Sequence, residues 1–179
     1  MKHTLFLFAS IAGLIMLLAA CSEPIAPNTY QSAEGGFRIT FPDTSWMVAD
    51  EPHDLGAHNI TIHAATVTTP GEDAANMLYR ADYTALPWIT TKTQIDSLFR
   101  AQWGYLHNID QVHVLNIDTL EGRGYHAMQG LLGVQGGDVV TNYRMYFNQG
   151  TLYKLLVITG QEKHPNADAQ QFFDSFVLL

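Results

Sequence analysis

A single cysteine in 179 residues excludes an intrachain disulfide and a cysteine-rich zinc cage. Basic residues are scarce, 9 Lys and Arg against 17 Asp and Glu, and the formal charge of −8 argues against nonspecific binding to nucleic acid, which depends on cationic side chains releasing counterions. No uncharged apolar run reaches the roughly 20 residues that cross a bilayer. There is no G-x-S-x-G elbow, no phosphate-binding P-loop and no H-E-x-x-H helix, and the glycine cluster at 133–137 leads into a strand pattern, not a helix N-terminus. What remains is the composition of a folded globular chain, 47% hydrophobic, 15% charged and 11% aromatic, with room for one domain.

The N-terminus gives an address. Lys2 and His3 precede an uncharged run from Leu5 to Ala20, sixteen residues, the length of a signal-peptide core. The run ends at Leu18-Ala19-Ala20-Cys21, a leucine, two small residues and the chain's one cysteine, which resembles the bacterial lipobox. That resemblance implies cleavage before Cys21, a diacylglycerol on its thiol and an acylated new amine. Two or more acyl chains hold a protein stably where one does not. Loss of residues 1–20 removes Lys2 and no acid, leaving 8 basic against 17 acidic residues, a charge of −9 that disfavours anionic lipid surfaces. Ser22 after the cysteine, in place of Asp, resembles the pattern sorted to the outer membrane. Residues 22–36, SEPIAPNTYQSAEGG, hold two prolines and no apolar period, so they read as a tether able to reach roughly 50 Å at about 3.3 Å per residue. The alternative is that Tyr30 and its neighbours pack on the domain as an edge strand.

Residues 37–179 suffice for one core. Period-two alternation predicts strands at Phe37–Phe41, Asn59–Ala64 and Met77–Tyr83, the last with Met77, Tyr79, Ala81 and Tyr83 on one face and Arg80 and Asp82 on the other. Thr91-Lys92-Thr93-Gln94 matches a capping box, and Ile95, Leu98, Phe99, Gln102, Trp103 and Leu106 follow at helical spacing, with Asp96 and Arg100 four apart on the outer side. Strand patterns at Val112–Asn116, Tyr125–Leu132, Val139–Phe147 and Leu152–Thr159, joined by short glycine-bearing turns, predict an antiparallel meander. A closing helix capped near Asn166 buries Ala169, Phe172, Phe173 and Phe176. Strands, helix, meander and helix give an α+β order.

The stretches GFRITFP followed by Trp46, NYRMYFNQGTLYKLLV, and QQFFDSFVLL resemble the PsbP-like family. The resemblance implies an α/β/α sandwich with a central, mostly antiparallel sheet and two main helices over residues 36–179. Members include extrinsic photosystem II subunits, a nuclear family that binds the Ran GTPase, and bacterial lipoproteins such as the DcrB group. It implies a docking role and supplies no shared catalytic constellation, so no functional residue is carried over.

Residues that could carry chemistry are scattered. His53, His58 and His63 are five apart, a spacing that flips face on a strand and rotates away on a helix, so only a loop could bring His53, His58 and Asp54 to one metal ion. His113 and His126 flank one turn. Asp50, Glu51 and Asp54, and Glu72 with Asp73, are acidic groups without the alternating calcium-loop pattern, and read as solvated loops. Trp88, in the connection to the first helix, is a candidate binding anchor, the alternative being a lid folded over the helix end. On the long hairpin Tyr143, Met145 and Phe147 share the core face, and Arg144 with Tyr146 on the other face is a candidate docking patch unless a helix covers it. The expected function is a lipid-anchored, non-catalytic interaction or assembly module of the cell envelope, facing the periplasm, with no cofactor. A periplasmic small-ligand or metal-binding lipoprotein is the alternative, and a hydrolase the third reading.

Overall fold

A computed structural model describes residues 25–69, 74–109, 112–120 and 126–179. Cys21, Ser22, Glu72 and Asp73, together with the signal-peptide segment, lie outside them. The elements are strands β1 (Thr29–Ser32), β2 (Phe37–Thr40), β3 (Met47–Asp54), β4 (Asn59–Thr68) and β5 (Asn76–Ala85), helix α1 (Lys92–His107), strands β6 (Val112–Leu120), β7 (His126–Val134), β8 (Val139–Asn148) and β9 (Thr151–Gly160), helix α2 (Ala167–Asp174) and the short β10 (Val177–Leu178). No described helix is long and apolar enough to cross a membrane.

Seven strands form one antiparallel sheet in the order β3-β4-β5-β9-β8-β7-β6. After β5 the chain crosses through α1 to the far edge, then meanders back from β6 to β9, which closes beside β5. The last hairpin turns on Gln149 and Gly150, both with positive φ (47° and 78°), the backbone of a tight two-residue turn. A second sheet, β1-β2-β10, and α2 cover one face of the large sheet. On that face Phe37, Ile39, Tyr79, Ala81, Tyr146, Leu155, Phe172 and Phe176 form one core, with Tyr146 stacked on Phe176 at 4.8 Å. Helix α1 covers the β6–β8 part of the opposite face with Ile95, Phe99 and Trp103, over Leu132, Tyr143, Met145 and Phe147. Burying each such aromatic or aliphatic side chain contributes about 1.5–3 kcal/mol, so β8, with Tyr143, Met145 and Phe147 under α1 and Tyr146 in the core on the other face, is held from two sides.

The α1 capping box forms as its sequence predicts, Thr91 accepting from the Gln94 amide and Gln94 returning to the Thr91 backbone. Asp96 pairs back to Lys92 at 2.9 Å, while Arg100 donates to Ser97. Asn166 caps α2 by accepting from Ala169 N.

Four expectations are corrected. The tether expected through residue 36 ends earlier: Thr29–Ser32 pairs with β2, in register Thr29↔Thr40 to Ser32↔Phe37, and Tyr30 packs against Phe37 and Trp46. Asp50, Glu51 and Asp54, read as a solvated loop, lie in the edge strand β3, whose pairing with β4 supplies what its exposed, acidic side chains do not signal. Met77 leaves the face of Tyr79 because the ladder slips between Asn76 and Leu78, and it is 43% exposed. The fold is sheet-rich, with a second small sheet beside α2 where a plain helical layer was expected.

Candidate functional site

Helix α2 covers only part of the face it lies on. Beyond its edge, β6, β7 and β8 leave a polar cleft of about 250 Å³, closed on one side by α2 and by His164 and Pro165. The ladder fixes its floor. One row runs Arg144↔Gln129↔Asp118 and the next runs Asn142↔Leu131↔Asn116, each spanning β8, β7 and β6. Arg144 is braced: its guanidinium lies 4.6 Å over the Phe173 ring and reaches Asp174 at 3.5 Å and Gln170 at 3.4 Å. Asn142 meets His164 Nδ1 at 3.3 Å, and Asn116 donates to Asp118 at 2.8 Å. Half-buried Gln129 has no side-chain partner among the described residues.

The cleft is anchored by a buried network. Asn166 exchanges amide hydrogen bonds of 2.9 Å with Asn76, which also donates to Tyr79 Oη and accepts from Thr159 at 2.6 Å. The start of α2 is thereby tied to β5 and β9, fixing the wall against the floor. From behind, the floor is thin at Gly130, where Trp103 of α1 presses against the sheet: an added Cβ would sit 2.4 Å from Trp103 Cη2 and 2.8 Å from the Asn116 carbonyl oxygen.

A second group of charges lies on the other face, beside the area α1 covers. Arg80 forms a two-pronged pair with Glu51 (3.0 and 2.9 Å) and donates Nε to Asp82 at 3.1 Å. Lys154 approaches Asp82 Oδ1 at 3.4 Å, an ion-pair contact that leaves that oxygen without a direct hydrogen bond. Burial pushes the Asp82 carboxyl up, with Lys154 and Arg80 opposing, whereas hydrogen bonding to Arg80 pulls Glu51 down. Burial, then the Asp82 charge, raises the Tyr143 phenol. Two acids and two bases satisfy one another here, which makes this cluster structural.

The candidates from sequence are dispersed. Trp88 is half-buried, packed against the α1 core and stacked on His58 at 3.8 Å, a lid in place of an open anchor. Tyr146 is 4% exposed and belongs to the core under α2 and β10, so the expected Arg144–Tyr146 docking patch does not exist as a surface; α2 covers it because Phe172, Phe173 and Phe176 need that face. Of that pair only Arg144 reaches a cavity. Asp50 is 2.7 Å from His63, which stacks on Tyr83, and Asp54 accepts from Gly56 N at 2.7 Å. His53 lies on β3 opposite Ile60, and among the described residues no three His, Cys, Asp or Glu side chains group to hold an ion. His113 (opposite Gly133) and His126 (opposite Phe147) sit at the two ends of the β6–β7 hairpin. Sequence reasoning placed Asn142 on the face of Arg144 and missed Asp118, Gln129 and His164; Asp118 lies beyond the strand expected at Val112–Asn116, and it reaches this face because the β6–β7 ladder shifts between Val114 and Asn116.

No protein-family model matches the chain, and neither does any curated protein. Among solved structures it is similar to the solution structure of cyanobacterial PsbP (CyanoP) from Synechocystis sp. PCC 6803, with TM-score 0.61 and 13% identity over 91% of this chain and 99% of that one.

Proposed function

We propose that this chain, which has the PsbP-like fold, is a lipid-anchored, non-catalytic binding or assembly module of the bacterial cell envelope, working through the cleft beside α2. The anchor reading rests on the Leu18-Ala19-Ala20-Cys21 sequence, and Ser22 favours the periplasmic side of the outer membrane. The observation that carries the binding reading is the cleft: a braced arginine, an unpaired amide and a histidine converge on one concavity whose walls are fixed by a buried network. Concave sites with a few convergent polar groups are where small ligands and partner side chains bind.

Mass spectrometry of the membrane-extracted protein is expected to find an N-terminal peptide beginning at acylated Cys21, and Cys21→Ala to move the protein to the soluble fraction. A photo-crosslinker at position 129 is expected to capture a partner or ligand that the same group at exposed Gln149 does not. Equal capture at both positions removes the cleft from the reading. An unmodified Cys21 in membranes removes the anchor.

A further inference from the structure

The cleft carries one guanidinium and one carboxylate on one cross-strand row, with His164 on its wall and the Asp174 carboxylate reaching Arg144 from α2. Arg144 stands on β8 and Asp118 on β6, with the unpaired Gln129 amide between them on β7. Neighbouring strands lie about 4.8 Å apart, so the two charged residues stand about 10 Å apart at their Cα atoms. Their own partners leave capacity. The two contacts Arg144 makes to α2, 3.5 and 3.4 Å, are at the long limit of hydrogen bonding and use two of five N–H donors. Asp118 is exposed and receives one hydrogen bond, from Asn116.

From this pattern we infer that the cleft binds a short zwitterionic peptide, its carboxylate on Arg144 and its ammonium on Asp118, with the backbone amide between them on Gln129. The inference rests on the binding reading above and names its ligand class. The unpaired Gln129 amide standing between the two charges calls for an amide between the ligand's own charged ends, which a dipeptide has and a free α-amino acid lacks. The cavity, about 250 Å³, falls just below the range of drug-sized sites, which limits the occupant to a small molecule. An amide both donates and accepts, so Gln129 matches a peptide group as well as either charged residue matches an end. The chain's charge of −8 opposes a simple anion, and Arg144 opposes a simple cation; a zwitterion meets neither penalty.

The test is NMR titration of the full chain in detergent with glycylglycine, N-acetylglycylglycine, glycylglycine amide and N-acetylglucosamine. Glycylglycine is expected to shift the side-chain amides of Gln129 and Asn142, and capping either end to weaken binding about 10- to 100-fold, the contribution of a hydrogen bond to a charged group. Arg144→Gln is expected to make glycylglycine and its amide bind equally; Asp118→Asn is expected to do the same for glycylglycine and its N-acetyl form. Asp118 is exposed and Arg144 lies at the cleft beside α2, and an otherwise unchanged spectrum verifies the fold of each variant. Equal binding of capped and uncapped peptides overturns the inference. Cleft shifts with N-acetylglucosamine alone overturn it while the binding reading stands, and no shift with any of the four overturns the zwitterion and turns the binding reading toward a macromolecular partner.

Discussion

Replacing Gly130 with alanine tests how α1 and the cleft floor share one layer of sheet. The added Cβ would lie 2.4 Å from Trp103 Cη2, 3.0 Å from Cζ3 and 2.8 Å from the Asn116 carbonyl oxygen. Carbon atoms pack at about 3.5–4.0 Å, so the indole must retreat by more than 1 Å. It has little room, because Trp103 is 5% exposed and packs edge-on to Tyr143. Overpacking of this kind costs about 1–3 kcal/mol, and the second obstacle, a backbone oxygen, puts Gly130→Ala near the upper end. For a domain of this size each kcal/mol lowers Tm by about 2–4 °C, so the expected fall is about 6–12 °C. Trp103→Phe removes the atoms that clash, and with them an indole N–H that is buried without a hydrogen-bond partner. In that background only the contact with the Asn116 carbonyl oxygen remains, so Gly130→Ala is expected to cost about 1–2 kcal/mol less than in the native chain, a coupling that a double-mutant cycle in urea reads directly. An unchanged Tm in the single variant, or the same loss in both backgrounds, refutes the claim that Gly130 exists to admit the tryptophan.

Four further outcomes are expected. Lys154→Met leaves the nearly buried Asp82 with one cation fewer and is expected to destabilise by about 3 kcal/mol at neutral pH; in an Asp82→Asn background most of that loss disappears, as urea denaturation of the four chains will show. Because the folded Asp82 carboxyl lies above its ordinary value, the folded state holds its proton longer than the unfolded one, so its contribution to stability falls as pH rises through that interval; Asp82→Asn flattens this slope. Glu51 has the opposite sign, lowered by Arg80, so the stability it contributes above the ordinary carboxylate range is lost on acidification through its folded value; with Glu51 40% exposed, Glu51→Gln costs about 1 kcal/mol or less at neutral pH and removes that acid-limb term from a pH–Tm profile. Asn166→Ala removes the α2 cap and a partner of buried Asn76, about 2–3 kcal/mol together, and hydrogen exchange should show α2 opening before the central strands.

Much of this protein is legible in its sequence. The alternation of Phe37–Phe41 and of the four meander strands, the Thr91–Gln94 box and the Asn166 cap each act within a few residues, so local chemistry alone placed those strands and both helices. The resemblance of the aromatic stretches extended this to the fold that the cyanobacterial structure shares. Local pattern also placed Asn142 and Tyr146 on the face of Arg144. Tertiary structure decided the rest. Strand β1 reads as a tether because a four-residue strand carries almost no periodic signal; it exists because β2 offers an edge and Phe37 and Trp46 offer Tyr30 a surface. β3 is a strand by pairing, against its own exposed side chains. Tyr146 and Arg144 are one turn of the alternation apart and look equivalent in sequence, yet α2 buries the first and leaves the second at the rim of a cleft, because a helix is narrower than the sheet it covers. The row of Arg144, Gln129 and Asp118 joins residues far apart in the chain; their alignment depends on ladder register, which hydrophobic pattern and turn geometry set jointly across strands and which no single segment contains.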